Sequence, residues 1–154
     1  MTDKYNQFIQ AQMRKHQPDT EKLIKIASFL RREFGLTVQR EAILTFNKNS
    51  GKLEGFSSWL TEEQFKKYIV HVPDLLFFIR KKMWILEIDG YIHNVKNRVV
   101  RKDKWRNDDY ERAKLNFLIV NEWEVLVKLG EAPNRSATPK EVITEVKKLL
   151  KKIT

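Results

Sequence analysis

Three acids interrupt an otherwise apolar stretch, VPDLLFFIRKKMWILEIDGYIH, at Asp74, Glu87 and Asp89. Strand side chains alternate between faces, so Glu87 and Asp89 point to one side and Leu86 and Ile88 to the other. If residues 69–79 and 83–89 pair as a hairpin through the basic turn RKK, Asp74 reaches the same sheet edge. Three carboxylates held close together repel and cannot all stay ionised unless a cation joins them. An all-oxygen set suits a hard divalent ion, Mg2+ or Mn2+. Two plainer readings stand beside this one. Val72-Pro73-Asp74 can simply begin a strand, and Asp89-Gly90 is a common turn pair that ends one.

The elements that must position these acids are legible in outline. Tyr5, Phe8, Ile9 and Met13 have helical spacing, which gives residues 1–17 an extra helix or arm. Pro18-Asp19-Thr20 starts a helix that runs to about Phe34, where Gly35 stops it. Leu36–Phe46 has the β-branched content and alternation of a strand. Residues 47–68 read as an insertion, in which Thr61 and Gln64 are spaced as the capping box of a short helix. After the hairpin, a helix is expected over about 103–118 and a last strand over Trp123–Leu129. Thr138-Pro139-Lys140-Glu141 then opens a terminal amphipathic helix with Val142, Val146, Leu149, Leu150 and Ile153 on its apolar side. The expected fold is α/β: one domain with a mixed central sheet, flanked by helices in the order helix, three strands, helix, strand, with further helices at both ends.

At 154 residues, with 42% hydrophobic and 11% aromatic content, the chain can bury a core and is not of the disordered class. The absence of cysteine excludes disulfides and cysteine-ligated zinc. His16, His71 and His93 are too scattered for a helical zinc motif. Residues 1–17 are polar and mixed in charge, unlike a signal peptide, and the longest apolar run, Leu75–Ile79, is too short to span a bilayer. A cytoplasmic protein is expected. Thirty Lys and Arg against twenty Asp and Glu leave a net charge of +10, which favours a polyanionic partner.

Pro73-Asp74, twelve intervening residues, then Glu87-Ile88-Asp89 resembles the PD-(D/E)xK signature of restriction-endonuclease-like nucleases. EIDGYIH is similar to the E-x-D-G-x-x-H segment of a small nuclease-like family related to very-short-patch-repair endonucleases. That family follows it with a helix carrying D-x-x-R, matched by Asp109-Tyr110-Glu111-Arg112, and with a strand, matched by WEVLVKL. The resemblance covers about residues 20–129. It implies the restriction-endonuclease-like core, with Asp74, Glu87 and Asp89 as metal ligands and catalytic residues. His93 would be a proton donor or acceptor, or a contact to the scissile phosphate. Glu21 would add a further acid to the metal site, although the helix dipole alone also favours acids in a first turn. Asp89 stands where most of the superfamily has a catalytic lysine; it can ligate a metal but supplies no positive charge.

Beside the acids, NVKNRVVRKDKWRN carries Lys96, Arg98, Arg101, Lys102, Lys104 and Arg106 against one acid, Asp103. Phosphate contacts from these six side chains would seat a DNA backbone at the metal. Trp105 either stacks on a base or anchors the helix to the core. Asp109 and Arg112, three residues apart, form either a salt bridge or a phosphate contact. The combined expectation is a Mg2+- or Mn2+-dependent DNA endonuclease. The rival is a nuclease-fold DNA-binding module that has lost catalysis with its lysine. A homodimer would bring two sites to two strands, whereas a monomer would nick one.

Overall fold

A computed structural model describes residues 3–13, 18–90 and 101–154. In chain order its elements are α1 (Asp3–Met13), α2 (Pro18–Phe34), β1 (Thr37–Gln39), β2 (Ile43–Asn47), β3 (Leu53–Ser57), α3 (Glu62–Lys67), β4 (Tyr68–His71), β5 (Leu75–Ile79), β6 (Lys82–Asp89), α4 (Arg101–Arg112), β7 (Asn116–Asn121), α5 (Glu122–Lys128) and α6 (Pro139–Ile153). They form two sheets rather than the single one expected. A four-stranded sheet has the order β1-β5-β6-β7, with β6 and β7 parallel and the other pairs antiparallel. A three-stranded antiparallel sheet, β3-β2-β4, is inserted between β1 and β5. The α/β class and the mixed main sheet are as expected. Within that sheet the helix–three strands–helix–strand order is α2, β1, β5, β6, α4, β7.

Two expected strands are each split between the sheets. Leu36–Phe46 breaks at Glu41, whose φ of 61° lies in the left-handed region and turns the chain out of line. Residues 69–79 break at Val72-Pro73-Asp74, where proline has no N–H to give a ladder. The insertion therefore takes in β2 and β4 and is larger than the 47–68 segment expected. The β5–β6 hairpin turns through Arg80 and Lys81, with φ of 51° and 69°, a two-residue turn whose twist suits the paired strands.

The expected last strand is also displaced. The helix after the acids ends at Arg112, because Lys114 at φ 58° reverses the chain, and NFLIVN forms β7 alongside β6. Phe117 keeps the contact that made it resemble a helical position, its ring 5.4 Å from that of Tyr110, but it does so from the strand. WEVLVKL is helical. Val125 and Leu126 are buried while Val127 and Leu129 are exposed, a helical and not an alternating pattern, and the Asn121 side chain caps α5 by accepting from the Glu124 N–H.

Two cores sandwich the main sheet. On one face Leu75, Phe77, Leu86 and Val120 pack against Ile26, Ala27 and Leu30 of α2 and Val142, Val146 and Leu150 of α6. On the other, Leu76 and Ile85 pack with Leu44 and Phe46 of the small sheet and Tyr110 of α4. Helix α1 lies on the insertion: Tyr5 and Phe8 meet Phe65 at 5.6 and 5.2 Å between ring centres, and the Tyr5 hydroxyl donates to the Leu60 carbonyl. No described helix is long and apolar enough to cross a membrane.

Candidate active site

Glu87 and Asp89 leave β6 on the same face as Ile85, towards α4. The last ladder pair of β5 and β6 at this end is Leu75 with Leu86, so Asp74 faces Glu87 one step beyond it. There side chains replace ladder bonds. The Asp74 N–H donates to Glu87 Oε1 at 2.8 Å, and the Ile88 N–H donates to Asp74 Oδ2 at 2.7 Å. Pro73 causes this by ending pairing just before Asp74, which frees its backbone to turn onto the glutamate. Asp74 and Glu87 are thereby interlocked where the chain enters the main sheet.

Helix α4, on the crossover from β6 to its parallel neighbour β7, supplies the opposite wall. Asp103, Arg106 and Tyr110 are three and four residues apart and share one side of the helix. The Tyr110 hydroxyl donates to Glu87 Oε2 at 2.9 Å. Arg106 Nε lies 3.1 Å from the same oxygen, while its Nη1 and Nη2 grip the two oxygens of Asp89 at 3.1 and 3.3 Å. Nη1 also reaches Asp103 at 3.4 Å, and Nε and Nη2 share Asn107 Oδ1 at 3.1 and 2.9 Å. This is the forked, charge-assisted geometry that favours arginine over lysine.

The buried charges here are mostly acidic. Glu87 is 2%, Asp89 5% and Asp103 5% exposed. Burial, then the charge of Asp74, pushes the Glu87 carboxyl from 4.5 up to about 8, although Arg106, the Asp74 N–H and the Tyr110 hydroxyl all favour its ionised form. Burial and Glu87 likewise hold the Tyr110 hydroxyl far above its ordinary range, so it stays a donor.

The donor chemistry fits a hard divalent cation: Asp74, Glu87 and Asp89 offer oxygens only, with more negative charge than one guanidinium offsets. The spacing does not fit while Arg106 lies between Glu87 and Asp89. Among the described residues no group of three or more His, Asp or Glu side chains is spaced to hold a metal ion.

Other expected site residues fall as follows. Lys104 is exposed on α4. Arg106, expected to contact phosphate, instead turns inward, its side chain 14% exposed, because the buried carboxylates draw it in. Glu21 is exposed on α2, and its neighbour Lys22 makes the ion pair of that turn, 2.7 Å from Glu122. His93, Lys96 and Arg98 lie outside the described residues, as do the side chains of Arg101 and Lys102. Trp105 is exposed and is not a core anchor. Asp109 and Arg112 do not pair with each other. Asp109 Oδ2 lies 2.6 Å from His71 Nε2, and Arg112 donates to the Asn49 carbonyl at 2.6 Å, clamping the β2–β3 turn.

Sequence reasoning missed Asp103, Tyr110 and the His71–Asp109 pair. The signal for the first was present: Asp103-Lys104-Trp105-Arg106 repeats the D-x-x-R spacing six residues earlier, and it is this copy that touches the acids. His71 was out of reach, because its partner is 38 residues away and the break after β4 places it. Its ring also lies edge-on to Phe46 and Tyr110, 5.7 and 5.6 Å away.

Comparison with protein-family models, curated proteins and solved structures finds no match to this chain.

Proposed function

We propose that the chain is a Mg2+- or Mn2+-dependent DNA endonuclease with a restriction-endonuclease-like core, in which Asp74, Glu87 and Asp89 hold the metal. The observation that carries this reading is the interlock of Asp74 with Glu87, two residues before Asp89, at one end of the main sheet. Buried acids that repel one another reduce stability unless a cation compensates them, so a site that retains them implies a use. The arrangement α2, β1, β5, β6, α4, β7 agrees with the element order of the resembling superfamily. A bound divalent ion would lower the pKa of a water and offset charge on the attacked phosphate.

The chain's own groups do the rest. The Asp74 N–H and the Tyr110 hydroxyl fix the two oxygens of Glu87, which leaves it one orientation. Lys104, exposed on the helix that walls the site, presents positive charge to a DNA backbone. Hydrolysis adds water across a P–O bond and leaves a phosphate monoester and a hydroxyl.

One observation favours a second reading. Arg106 already gives Glu87 and Asp89 a cationic partner, as in a nuclease fold kept as a DNA-binding module. A cleavage assay decides between them. The pure protein is incubated with supercoiled, linear, single-stranded and branched DNA in Mg2+, Mn2+ or EDTA. An endonuclease cuts at least one substrate only with metal, and Asp74→Ala and Glu87→Ala abolish cutting while DNA binding survives. Salt-sensitive binding with no cutting of any substrate identifies the module.

A further inference from the structure

We propose that the β5–β6 turn and the edge of β3 beside it bind a single-stranded nucleic acid, with Arg80, Lys81 and Lys82 on its phosphates and Phe56 stacked on a base. The inference shares a nucleic-acid partner with the proposed function and needs neither a metal nor cleavage. Strand residues rise about 3.3 Å each, so Lys82 lies roughly 23 Å along β6 from Asp89, at the opposite end from the acids.

The turn is the first observation. Ile79 pairs with Lys82, which leaves Arg80 and Lys81 as the two central residues, at φ 51° and 69°. A turn of this hand favours Asn-Gly, because both positions lie where a Cβ crowds the backbone. Arg-Lys runs against that local preference. Backbone strain that a sequence retains points to a use for the side chains carried there. Here they are cations. Arg80, Lys81 and Lys82 are all exposed, and none of the three side chains has an ion pair or hydrogen bond with another described residue. Three adjacent like charges repel one another, and a polyanion relieves that repulsion.

The second observation is aromatic. Phe56, on the edge strand of the small sheet, is 45% exposed. Its ring centre lies 6.4 Å from that of Phe78, which stands two residues before Arg80 and opposite Met83. A ring packed on one side and open on the other is a platform for a base. Stacking suits unpaired bases, since each offers a π face that a duplex hides, and cations beside the platform follow the backbone.

The test is fluorescence anisotropy of the full chain, in EDTA, with a short labelled strand of mixed sequence as DNA and as RNA, and with the DNA duplex. The two strands distinguish the sugar that is preferred, and EDTA makes the result independent of whether the acids bind metal. Arg80→Asn/Lys81→Gly supplies the pair the turn favours and removes two cations. It should raise the thermal midpoint, weaken single-strand binding and reduce the slope of log K against log [salt] by about 1.4. Arg80→Gln/Lys81→Gln, which keeps bulky side chains in the turn, should weaken binding as much, so the result does not hang on the rebuilt turn. Phe56→Leu keeps an apolar contact with Phe78 but loses the π face, and should weaken single-strand binding about fivefold or more while sparing the duplex. Unchanged binding in both double variants overturns the placement and leaves the proposed nuclease untouched. Equal affinity for polyglutamate, or a Phe56→Leu variant that binds like the wild type, overturns the single strand as the occupant. A wild type that binds neither strand overturns the inference outright. A thermal midpoint that falls in Arg80→Asn/Lys81→Gly overturns it too, since Arg80 and Lys81 then suit the turn as they stand.

Discussion

Glu87 is the residue on which the chemistry and the stability of the site converge. Its carboxyl is raised from 4.5 to about 8, chiefly by burial, so the folded state holds a proton that the unfolded state releases. The stabilising contribution of protonated Glu87 is thus complete below about pH 4.5 and is lost as pH rises through about 8. Urea melts between pH 5 and 9 should show stability declining towards the alkaline end. In Glu87→Gln, which cannot ionise, the slope should flatten; an unchanged slope would assign the decline elsewhere. Tyr110→Phe removes the hydroxyl that donates to Glu87 Oε2 and leaves the ring packing intact. It should cost about 1–2 kcal/mol in the same melts. A neutral result would mean that the bond contributes nothing to the fold.

At the scale of elements, the turns decide which strand joins which sheet. Gly51, in the turn between β2 and β3, has φ +75°, and a Cβ there would lie 2.4 Å from Arg112 Nε. Gly51→Ala should therefore lose about 1 kcal/mol or more and displace the Arg112 clamp, measurable as a lower thermal midpoint. Helix starts were legible in the sequence wherever a side chain caps its own neighbourhood. Thr61 with Gln64 and Thr138 with Glu141 both form the capping boxes expected, since three residues contain the whole interaction. The second sheet was not legible. Its pairings join β2 to β4 across more than twenty residues, and the break that separates β1 from β2 falls on Glu41, a residue with no turn preference of its own. Lys114 hid the end of α4 in the same way, and Phe117 then continued the helical spacing from the next strand. Pro73 did carry a signal, and the strand drawn through it is the error that sequence alone could have prevented. The acids were found because alternation along one strand is local. The inward turn of Arg106 was not, because it depends on where the crossover lays α4.

For the whole molecule, part of the described positive charge lies away from the acid site. Exposed basic side chains include Lys147, Lys148, Lys151 and Lys152 on α6, which covers the sheet face opposite Glu87 and Asp89. Among the described residues, Lys104 is an exposed basic residue on α4, the helix that walls the acids. DNA affinity should fall steeply with salt, and Lys104→Ala should reduce the slope of log K against log [salt] by about one while leaving the fold unchanged. An unaltered slope would remove Lys104 from the DNA surface. The most direct test of the central claim is an anomalous difference map from crystals grown with millimolar Mn2+. The expected map has a peak bonded to carboxylate oxygens of Asp74 and Glu87. A map with no peak at these carboxylates, and Arg106 still bridging Glu87 and Asp89, would contradict it.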